Sequence, residues 1–465
     1  MDIAVLDKES DAGWGTTKAN SGIIHPGYAG ERDSLKYKIS HKGNQLFRKN
    51  ADELGIHIKN IGSMLNIFHD FQMNVLENFL EQGKMSGLSG LEIITDTQKI
   101  KTLEPNISSN VRATLFARET CIISPYGAAV SIFENASENG VSFYFDNEVK
   151  SISCSFDSSG KKLFTIKTKN HSPHNPDYIF QSEFIINAAG VNSSKIANMI
   201  GDDSFKIKTY RGQYILFDTD SGNFVNHVNF KLPDSSKSKT KGLLVTPTVS
   251  GNFFIGPNYE YINKEDISTT SPGLAEVKEN ASRMFNNIPV GKAITEFAGL
   301  RAVSDTGDFI INESPANKNF INAAGIQSPG LTCAFIIAEI VLDILKNKNI
   351  RLIKNKNFVP ENRNALNNNR VIRTEAADSA EIDEKLKYEI VCRCEKVTEA
   401  EVIDAIRKGA STVDGIKFRT RAGMGRCQGG YCLLKVMRII SRELNIPFEK
   451  ITKCGKDSYI AKYKI

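Results

Sequence analysis

The sequence predicts an α/β fold that carries an antiparallel-sheet domain and ends in a small helical domain. Three segments, starting at Ile3, Phe184 and Phe320, have the pattern of a buried parallel strand followed by a turn and a helix. Between the last two lie QYILFD, GLLVTPTV and NFFIGP, whose alternating apolar residues and Gly/Pro boundaries are typical of antiparallel strands. At 465 residues the chain is too long for one core, so we expect two or three domains.

The third strand segment carries start signals for its helix. Ser328 and Pro329 follow the turn, and a proline preceded by serine is typical of a helix N-terminus. The apolar run that follows, LTCAFIIAEIVLDIL, is interrupted by Glu339 and Asp343 and is shorter than the ~20 residues of a membrane span. We therefore expect a helix from Ser328 and no transmembrane segment.

The composition indicates a globular protein of the cytoplasm. The hydrophobic content of 40% and the charged content of 24% exclude a disordered chain. The charged first residues exclude a secretory signal, and eight cysteines are too sparse for a disulfide framework. We expect a cytoplasmic location, with any attachment to the membrane being peripheral and made through a partner. From Tyr388 onward 16 Lys/Arg outnumber 9 Asp/Glu, but no nucleic-acid-binding motif accompanies them, so we expect no nucleic-acid partner.

The composition changes after the predicted α/β body, which we assign to residues 1–355. Residues 356–387 are rich in Asn, Lys and Glu and poor in apolar residues, which is typical of a linker. Residues 388–450 contain two predicted helices, one starting with the capping box TEAE and the other within CLLKVMRIISREL. We assign residues 451–465 as a tail.

Four cysteines of the helical domain follow the spacing C-x-C-x32-C-x4-C. A tetrahedral zinc site usually has two to four residues between paired cysteines. Zinc remains an alternative, although the single residue between the cysteines of the C-x-C pair is a tight spacing for such a site. A [2Fe–2S] cluster also takes four thiolates, and the glycines of RAGMGRCQGGYC would let backbone N–H groups approach its sulfides. We favour a [2Fe–2S] cluster on Cys392, Cys394, Cys427 and Cys432.

Four arginines lie close to these cysteines in the sequence. A cluster with four thiolates is an anion, so we expect Arg393, Arg419, Arg421 and Arg426 to offset its charge and raise its potential. Cys454 has no partner in the spacing, and we interpret it as incidental.

The first predicted strand ends in an acid. Ile3 to Leu6 form an apolar run that is followed by Asp7. In dinucleotide-binding folds an acid at a strand end, about 20 residues past a glycine fingerprint, hydrogen-bonds the adenosine ribose. No G-x-G-x-x-G precedes Asp7 in this sequence. Asp7 is therefore either half of a cofactor site or an ordinary strand end on the surface.

Five motifs in a fixed order resemble one family. KANSGIIHPGY, RGQYILFD, LLVTPTVSGNFFIGPNYE, FAGLRAVSDTGDFII and GIQSPGLTCAFIIAE together resemble the FAD-dependent glycerol-3-phosphate dehydrogenases of bacteria. The likeness is greatest to the large subunit of the anaerobic type, within the D-amino-acid-oxidase-like superfamily. RTRAGMGRCQGGYC resembles the [2Fe–2S] domain of bacterioferritin-associated ferredoxin. The resemblance extends from Ile3 to about Lys450.

This resemblance implies an architecture and two cofactors, FAD and a [2Fe–2S] cluster. The fold would be a Rossmann-like FAD-binding domain of the glutathione-reductase type, with an antiparallel substrate domain. The FAD-binding parts would be residues 1–60, 120–205 and 296–355, and the substrate-domain parts residues 61–119 and 206–295. The helical domain at 388–450 would hold the cluster.

The resemblance also implies cofactor contacts. Asp7 would accept hydrogen bonds from the adenosine ribose, and the helix from Ser328 would direct its N-terminus at the flavin, whose reduced form is an anion. The residues that the resemblance assigns to FAD are Asp7, Ala189, Gly190, Gly325, Ser328 and Gly330.

For catalysis the resemblance implies a histidine and an arginine. His25 would remove the hydroxyl proton while hydride passes from substrate C2 to the flavin. Without the resemblance, a histidine packed on a glycine turn is the alternative. Arg301 would bind the substrate anion through a bidentate contact, which suits phosphate and carboxylate equally. Tyr28 and Arg211 are further candidates for the same site.

The implied reaction is oxidation of sn-glycerol 3-phosphate to dihydroxyacetone phosphate. Its electrons would leave through the cluster to partner oxidoreductase subunits or to a quinone-linked subunit. An alternative is a dehydrogenase of a 2-hydroxy acid, an amino acid or an imino acid, since one arginine serves any of these anions. A third is an accessory electron-transfer subunit with an inactive flavin site.

The sequence departs from this family at its start. Relatives begin with a strand, a G-x-G-x-x-G turn and a helix, about 25–30 residues that we do not find before Asp7. Those residues would hold the FAD pyrophosphate. We therefore expect a polypeptide that starts at Met1 to purify with little FAD.

Overall fold

The computed structural model describes residues 2–156, 158, 160–172, 176–232, 242–348, 350, 353, 355–361 and 384–461. Its strands are β1 (Ala4–Leu6), β2 (Ile23–Ile24), β3 (Ile58–Asn60), β4 (Ser63–Ile67), β5 (Leu91–Ile94), β6 (Ala113–Ala117), β7 (Cys121–Ile123), β8 (Ser142–Tyr144), β9 (Asn147–Phe156), β10 (Lys162–Asn170), β11 (Ile179–Ser182), β12 (Ile185–Asn187), β13 (Ile207–Phe217), β14 (Val228–Lys231), β15 (Leu244–Pro247), β16 (Phe253–Gly256), β17 (Glu260–Ile262), β18 (Ala293–Ser304), β19 (Ile310–Glu313), β20 (Phe320–Ala324), β21 (Ile390–Cys392) and β22 (Val397–Thr398). Its α-helices are α1 (Leu35–Glu53), α2 (Met73–Met85), α3 (Thr97–Leu103), α4 (Pro125–Glu138), α5 (Ser193–Asn198), α6 (Ser271–Met284), α7 (Ala334–Lys346), α8 (Glu399–Arg407), α9 (Val413–Thr420) and α10 (Leu433–Leu444). Most of the predicted linker and the end of the predicted tail lie outside the described residues.

The three segments with a parallel-strand pattern form β1, β12 and β20, as predicted. β1 pairs in parallel with β8, and β12 pairs in parallel with β20. Aromatic and aliphatic side chains, among them Phe164, Phe205 and Phe320, form a buried core beside these strands. The α/β class is therefore confirmed for this part of the chain.

The helix after β20 begins later than predicted. α7 starts at Ala334, because residues 328–333 form consecutive turns. The Gly330 N–H donates to the Gln327 carbonyl and the Cys333 N–H to the Pro329 carbonyl, so the turns satisfy these donors before the helix starts. The prediction that Ser328 starts the helix is wrong.

A second sheet contains nine strands in the order β17-β13-β16-β15-β14-β4-β6-β5, with β18 paired to β13. Its pairs are antiparallel except β14–β4. The segments QYILFD, GLLVTPTV and NFFIGP contribute to β13, β15 and β16, which confirms the predicted antiparallel sheet. Helix α6 packs Leu274, Val277 and Ala281 against this sheet in a shared core.

The C-terminal module, residues 384–461, has its own core, in which side chains of α8, α9 and α10 pack around Val397 and Met437. Thr398 and Glu401 form the predicted capping box at the start of α8. α10 buries Val436, Met437, Ile439 and Ile440 on one face, as its amphipathic sequence predicts.

Two strand edges of the body are open. Among the described residues, β1 pairs only with β8 and β12 pairs only with β20. Ile3 and Ile186 are each 49% exposed, which is high for apolar residues beside or within parallel strands. Of the helices that the structure describes, none has both the length and the apolar character needed to cross a membrane.

Candidate functional site

An open cleft with a volume of about 3050 Å³ lies in the body and runs along β1 and β12. Ligand sites commonly measure roughly 300–1,000 Å³, so this cleft exceeds what one small substrate fills and has room for an extended dinucleotide. The predicted site residues that line it are Asp7, His25, Tyr28, Ala189, Gly190, Arg301, Ser328 and Gly330. Gly325 and Arg211 do not line it.

Asp7 ends β1 at the edge of the cleft. Its N–H donates to the Tyr144 carbonyl of the neighbouring strand, and its Oδ1 accepts a hydrogen bond of 3.0 Å from the Glu9 N–H. Burial raises the pKa of Asp7 from 3.8 to about 6, and the nearby charge of Glu9 adds to this. A half-buried carboxylate at a strand end suits a ligand that supplies hydroxyl donors, as a ribose does.

The turn after β12 leaves backbone open to the cleft. Gly190 has φ +57°, and a Cβ built at this position would have no atom within 4 Å. A ligand can therefore approach the backbone of Ala189 and Gly190 closely. Gly325 has φ +64°, but a Cβ there would lie 2.9 Å from Ser304 Cβ. Its glycine is explained by a tight turn inside the body.

His25 follows β2 and is held by its backbone. Its N–H donates to Thr332 Oγ1 at 2.9 Å, and Asn44 Nδ2 donates to its carbonyl at 3.0 Å. The imidazole packs near the Phe230 ring, with centroids 5.9 Å apart, and its Nε2 lies 3.5 Å from Ser328 Oγ. The ring is thus positioned at the cleft wall, where it can accept a proton from a ligand.

Arg301 lies on β18, and its guanidinium is 5.2 Å above the Tyr259 ring. Its Nη1 donates to the Asn258 carbonyl at 3.3 Å, which is the one hydrogen bond found for this guanidinium among the described residues. A Cβ at Gly212, on the adjacent strand, would collide with the guanidinium. Gly212 therefore makes room for Arg301, and most of its five N–H donors remain available to an anion.

Lys231 is a candidate that the sequence analysis missed. It ends β14, next to Phe230, and lines the same cleft as His25 and Arg301. It is 6% exposed, and its ammonium lies 5.5 Å above the Phe68 ring. A lysine at the end of an apolar strand, in VNFKL, is the signal that could have found it.

Arg211 occupies a different environment. It is 4% exposed, and its guanidinium donates to Glu260 at 2.9 Å and to the Ser268 carbonyl at 2.8 Å. Asp266 lies 3.3 Å from the same guanidinium. Because two carboxylates already neutralise Arg211 away from the cleft, the structure does not support substrate binding by this residue.

Tyr28 is enclosed at the cleft wall, where it is 6% exposed. Burial raises the pKa of its hydroxyl, although a hydrogen bond with Ser63 opposes the shift. A neutral tyrosine at this place offers a ring surface to a ligand.

The four predicted cysteine ligands meet as two pairs. Cys394 Sγ lies 3.6 Å from Cys427 Sγ. A hydrogen bond from the Cys432 thiol, helped by the Gly423 and Glu395 N–H groups, lowers the pKa of Cys392 to about 6. These contacts bring residues 33 and 40 positions apart in the sequence into one site.

This arrangement fits a cluster of two irons, each bound by two thiolates. A Cβ at Gly425 would collide with Cys394, so the loop between α9 and Cys427 depends on glycine for its close approach.

Two of the arginines expected to offset the cluster charge have carboxylate partners in the body instead. Arg419 forms a buried bidentate pair with Asp11 of the body. Arg426 pairs with Asp218 and with Asp220, whose Oδ2 lies 2.8 Å away. The prediction is corrected for these two residues, because their charges are used to bind the module to the body.

Residues of the predicted tail also contact the body. Ser10 Oγ donates to the Cys454 carbonyl at 2.9 Å, and Lys456 Nζ lies 3.3 Å from Glu9 Oε2. Cys454 thus lies at the cleft, away from the four paired cysteines, in accordance with its exclusion from the ligand set.

Comparison with known proteins gives two family matches. A family described as FAD dependent oxidoreductase matches residues 1–344, and one described as BFD-like [2Fe-2S] binding domain matches residues 390–442. A glycerol 3-phosphate dehydrogenase of Caloramator mitchellensis is 40% identical over 99% of this chain and 93% of its own length. The human mitochondrial L-2-hydroxyglutarate dehydrogenase is 27% identical over 56% of this chain and 55% of its own length.

A solved structure shares the fold. It is the dithionite-reduced L-α-glycerophosphate oxidase of Mycoplasma pneumoniae with FAD bound, and it superimposes with a TM-score of 0.69. The identity is 24%, and the match covers 77% of this chain and 91% of that chain. These matches agree with the α/β body and the separate cysteine module.

Proposed function

Because the chain belongs to the family of FAD dependent oxidoreductases, we propose that it oxidises sn-glycerol 3-phosphate to dihydroxyacetone phosphate. The observation that carries this proposal is that His25, Lys231 and Arg301 line the same cleft, although they are far apart in the sequence. A base and two cations suit a substrate that has a hydroxyl to deprotonate and a dianion to bind. The 40% identical glycerol 3-phosphate dehydrogenase supports the same substrate.

FAD, when bound, supplies the acceptor for the hydride that leaves substrate C2. We assign its binding to Asp7 for the ribose, to the open backbone at Ala189 and Gly190, and to Ser328 and Gly330 near His25. Burial raises the pKa of Asp7 because water does not fully solvate the carboxylate. Ribose hydroxyl donors would stabilise its ionised form.

Residues of the chain itself bind the substrate and accept its proton. Arg301 binds the phosphate with its fork of N–H donors, and Lys231 adds a second positive charge. His25 accepts the hydroxyl proton at an imidazole nitrogen as the hydride leaves, so that no alkoxide has to form first. The aromatic rings of Tyr28 and Tyr259 exclude water from this part of the cleft.

Cys392, Cys394, Cys427 and Cys432 of the module would hold a [2Fe–2S] cluster. When bound, the cluster would supply one-electron chemistry, which suits transfer to a partner oxidoreductase subunit or a quinone-linked subunit. We place this activity in the cytoplasm, with any membrane contact made by that partner. None of the eight cysteines, all of which are among the described residues, is joined in a disulfide in the structure.

The test compares anionic substrates on the chain after it has been reconstituted with FAD. Under anaerobic conditions glycerol 3-phosphate should bleach the visible flavin band, and Arg301→Lys should raise KM roughly tenfold to a hundredfold because the bidentate contact is lost. Arg283→Lys, which alters an exposed arginine paired with Glu279, is the matched control and should change nothing.

Two outcomes would contradict the proposal. Bleaching by L-2-hydroxyglutarate, another 2-hydroxy acid or an amino acid, but not by glycerol 3-phosphate, would assign a different substrate. If none of these compounds bleaches bound flavin while dithionite still reduces the cluster, the chain is an accessory electron-transfer subunit.

A further inference from the structure

Arg421 connects the module to the body next to one of the cysteine ligands. It follows the last residue of α9 and has a left-handed backbone with φ +69°. Its Nε lies 2.8 Å from Oε2 of Glu395, which directly follows Cys394 in the chain. The two side chains are 12% and 4% exposed, so water and salt screen this ion pair weakly.

The other guanidinium donors of Arg421 cross to the body. Nη1 donates to Ser250 Oγ at 2.8 Å and to the Tyr126 hydroxyl at 3.3 Å, and Nη2 donates to Asn252 Oδ1 at 3.4 Å. The Tyr126 hydroxyl in turn lies 3.4 Å from Met424 Sδ, in the loop that leads to the third cysteine. One planar fork thus holds four partners, which a lysine ammonium cannot do.

Glu395 is packed against this loop. A Cβ at Gly425 would collide with Cys394 and would lie 3.2 Å from Glu395 Oε1. The carboxylate is therefore fixed beside a ligand of an anionic cluster. An unpaired negative charge at this place would oppose the addition of an electron, because like charges repel strongly where water is scarce.

We propose that Arg421 is a positioning residue that sets the potential of the cluster. It neutralises Glu395 beside Cys394 and holds this corner of the module on Tyr126 and Ser250. Reduction adds one electron to the cluster and makes or breaks no bond in the protein. The fixed positive charge of Arg421 stabilises the reduced form. The inference depends on the [2Fe–2S] cluster and is independent of the substrate.

The test is a redox titration of the cluster-loaded full chain, followed by the electron paramagnetic resonance of the reduced cluster. Arg421→Met should shift the midpoint potential to more negative values by about 59 mV or more, a tenfold change for a one-electron couple. Glu395→Gln should shift it to more positive values. The double variant should return close to the wild-type value, because both charges are gone.

Arg442→Met is the matched control. It removes another arginine of the module that is paired with a glutamate, Glu399, but it is 53% exposed and lies near the end of α10. Its potential should equal that of the wild type. A structural role of Arg421 alone would not be reversed by Glu395→Gln, so the double variant separates charge from packing.

Four results would overturn the proposal. The first is a wild-type potential in Arg421→Met with its cluster intact, and the second is a double variant that matches Arg421→Met alone. If Arg421→Met fails to assemble a cluster, the Glu395→Gln variant decides. The third result is a midpoint potential of Glu395→Gln that is not more positive than the wild-type value. A wild-type chain without any reduced-cluster signal would contradict the cluster itself, and the proposal with it.

Discussion

The cleft and the C-terminal module are built in opposite ways. The cleft brings together His25, which follows β2, with Lys231 and Arg301, which lie on β14 and β18 of the nine-stranded sheet, so its geometry depends on the packing of the whole body. The module takes its four cysteines from residues 392–432 and supports them with a core of its own. A locally complete site can form independently, whereas a dispersed site is lost with the fold that assembles it.

The boundary between the two regions is polar. Arg419 and Arg426 of the module reach carboxylates of the body, and the aromatic rings of Trp14 and Phe418 meet across the boundary at 5.2 Å. The body therefore adds orientation to the module. It contributes none of the four cysteines.

The largest expected effect tests the independence of the module. Residues 384–461 expressed alone under iron-replete, anaerobic conditions should bind two irons and two sulfides per chain. The single variants Cys392→Ser, Cys394→Ser, Cys427→Ser and Cys432→Ser should lose most of this iron and sulfide, because each removes one of four ligands. Cys454→Ser is the control and should match the wild type. Stoichiometric zinc without acid-labile sulfide would refute the cluster.

A smaller effect is expected at the boundary. Arg419→Met leaves Asp11 and Glu134 without their buried arginine, which should cost about 3–5 kcal/mol in the free energy of unfolding. Urea titration followed by the fluorescence of Trp14, the single tryptophan of the chain, measures this loss where the module meets the body. Arg442→Met, at an exposed pair, should change it by less than about 1 kcal/mol. Equal losses for both variants would show that Arg419 has no special role in docking.

The smallest effect concerns the cleft. The pKa of Asp7 is raised from 3.8 to about 6, so the folded cofactor-free chain binds a proton more tightly than the unfolded chain. Stability should therefore fall as the pH rises from about 4 to about 6, relative to Asp7→Asn, by about 1–3 kcal/mol for a partly exposed group. Thermal unfolding of both proteins across this range measures the difference. Parallel pH profiles of stability for the two proteins would mean that the pKa of Asp7 is not raised in the folded chain.

Strand patterns and capping signals were sufficient to predict the elements that have local signals. β1, β12 and β20 and the capping box of α8 follow from short-range patterns, whereas the four-cysteine ligand set remains a prediction. The start of α7 does not follow from such patterns. Ser328 and Pro329 match the usual start signals, but turns that satisfy the donors of Gly330 and Cys333 replace the first helical turn.

The two arginines show why the cleft was harder to predict. In the pairing of β13 with β18, Arg301 lies opposite Tyr210, so Arg211 belongs to the next pair. Neighbouring residues of a strand point to opposite faces of the sheet. Arg301 therefore reaches the cleft while Arg211 faces Glu260, and this register is absent from the sequence alone.

The carboxylate partners of the arginines in the module could not be predicted from the sequence either. The proximity of Arg419 and Arg426 to cysteines in the sequence suggested an electrostatic role at the cluster, but Asp11 and Asp218 lie more than 200 residues away. Lys231 was missed for the same reason, because its place at the cleft depends on the pairing of β14 with β4 and β15.

The open edges of β1 and β12 have a consequence for handling the protein. An unpaired strand edge with exposed apolar residues is where another molecule can add a strand, and such additions start aggregation and domain swapping. Ile3 and Ile186 place this hazard in the body, next to the cleft. We therefore expect aggregation at high protein concentration to start at these two strand edges, which also line the cleft.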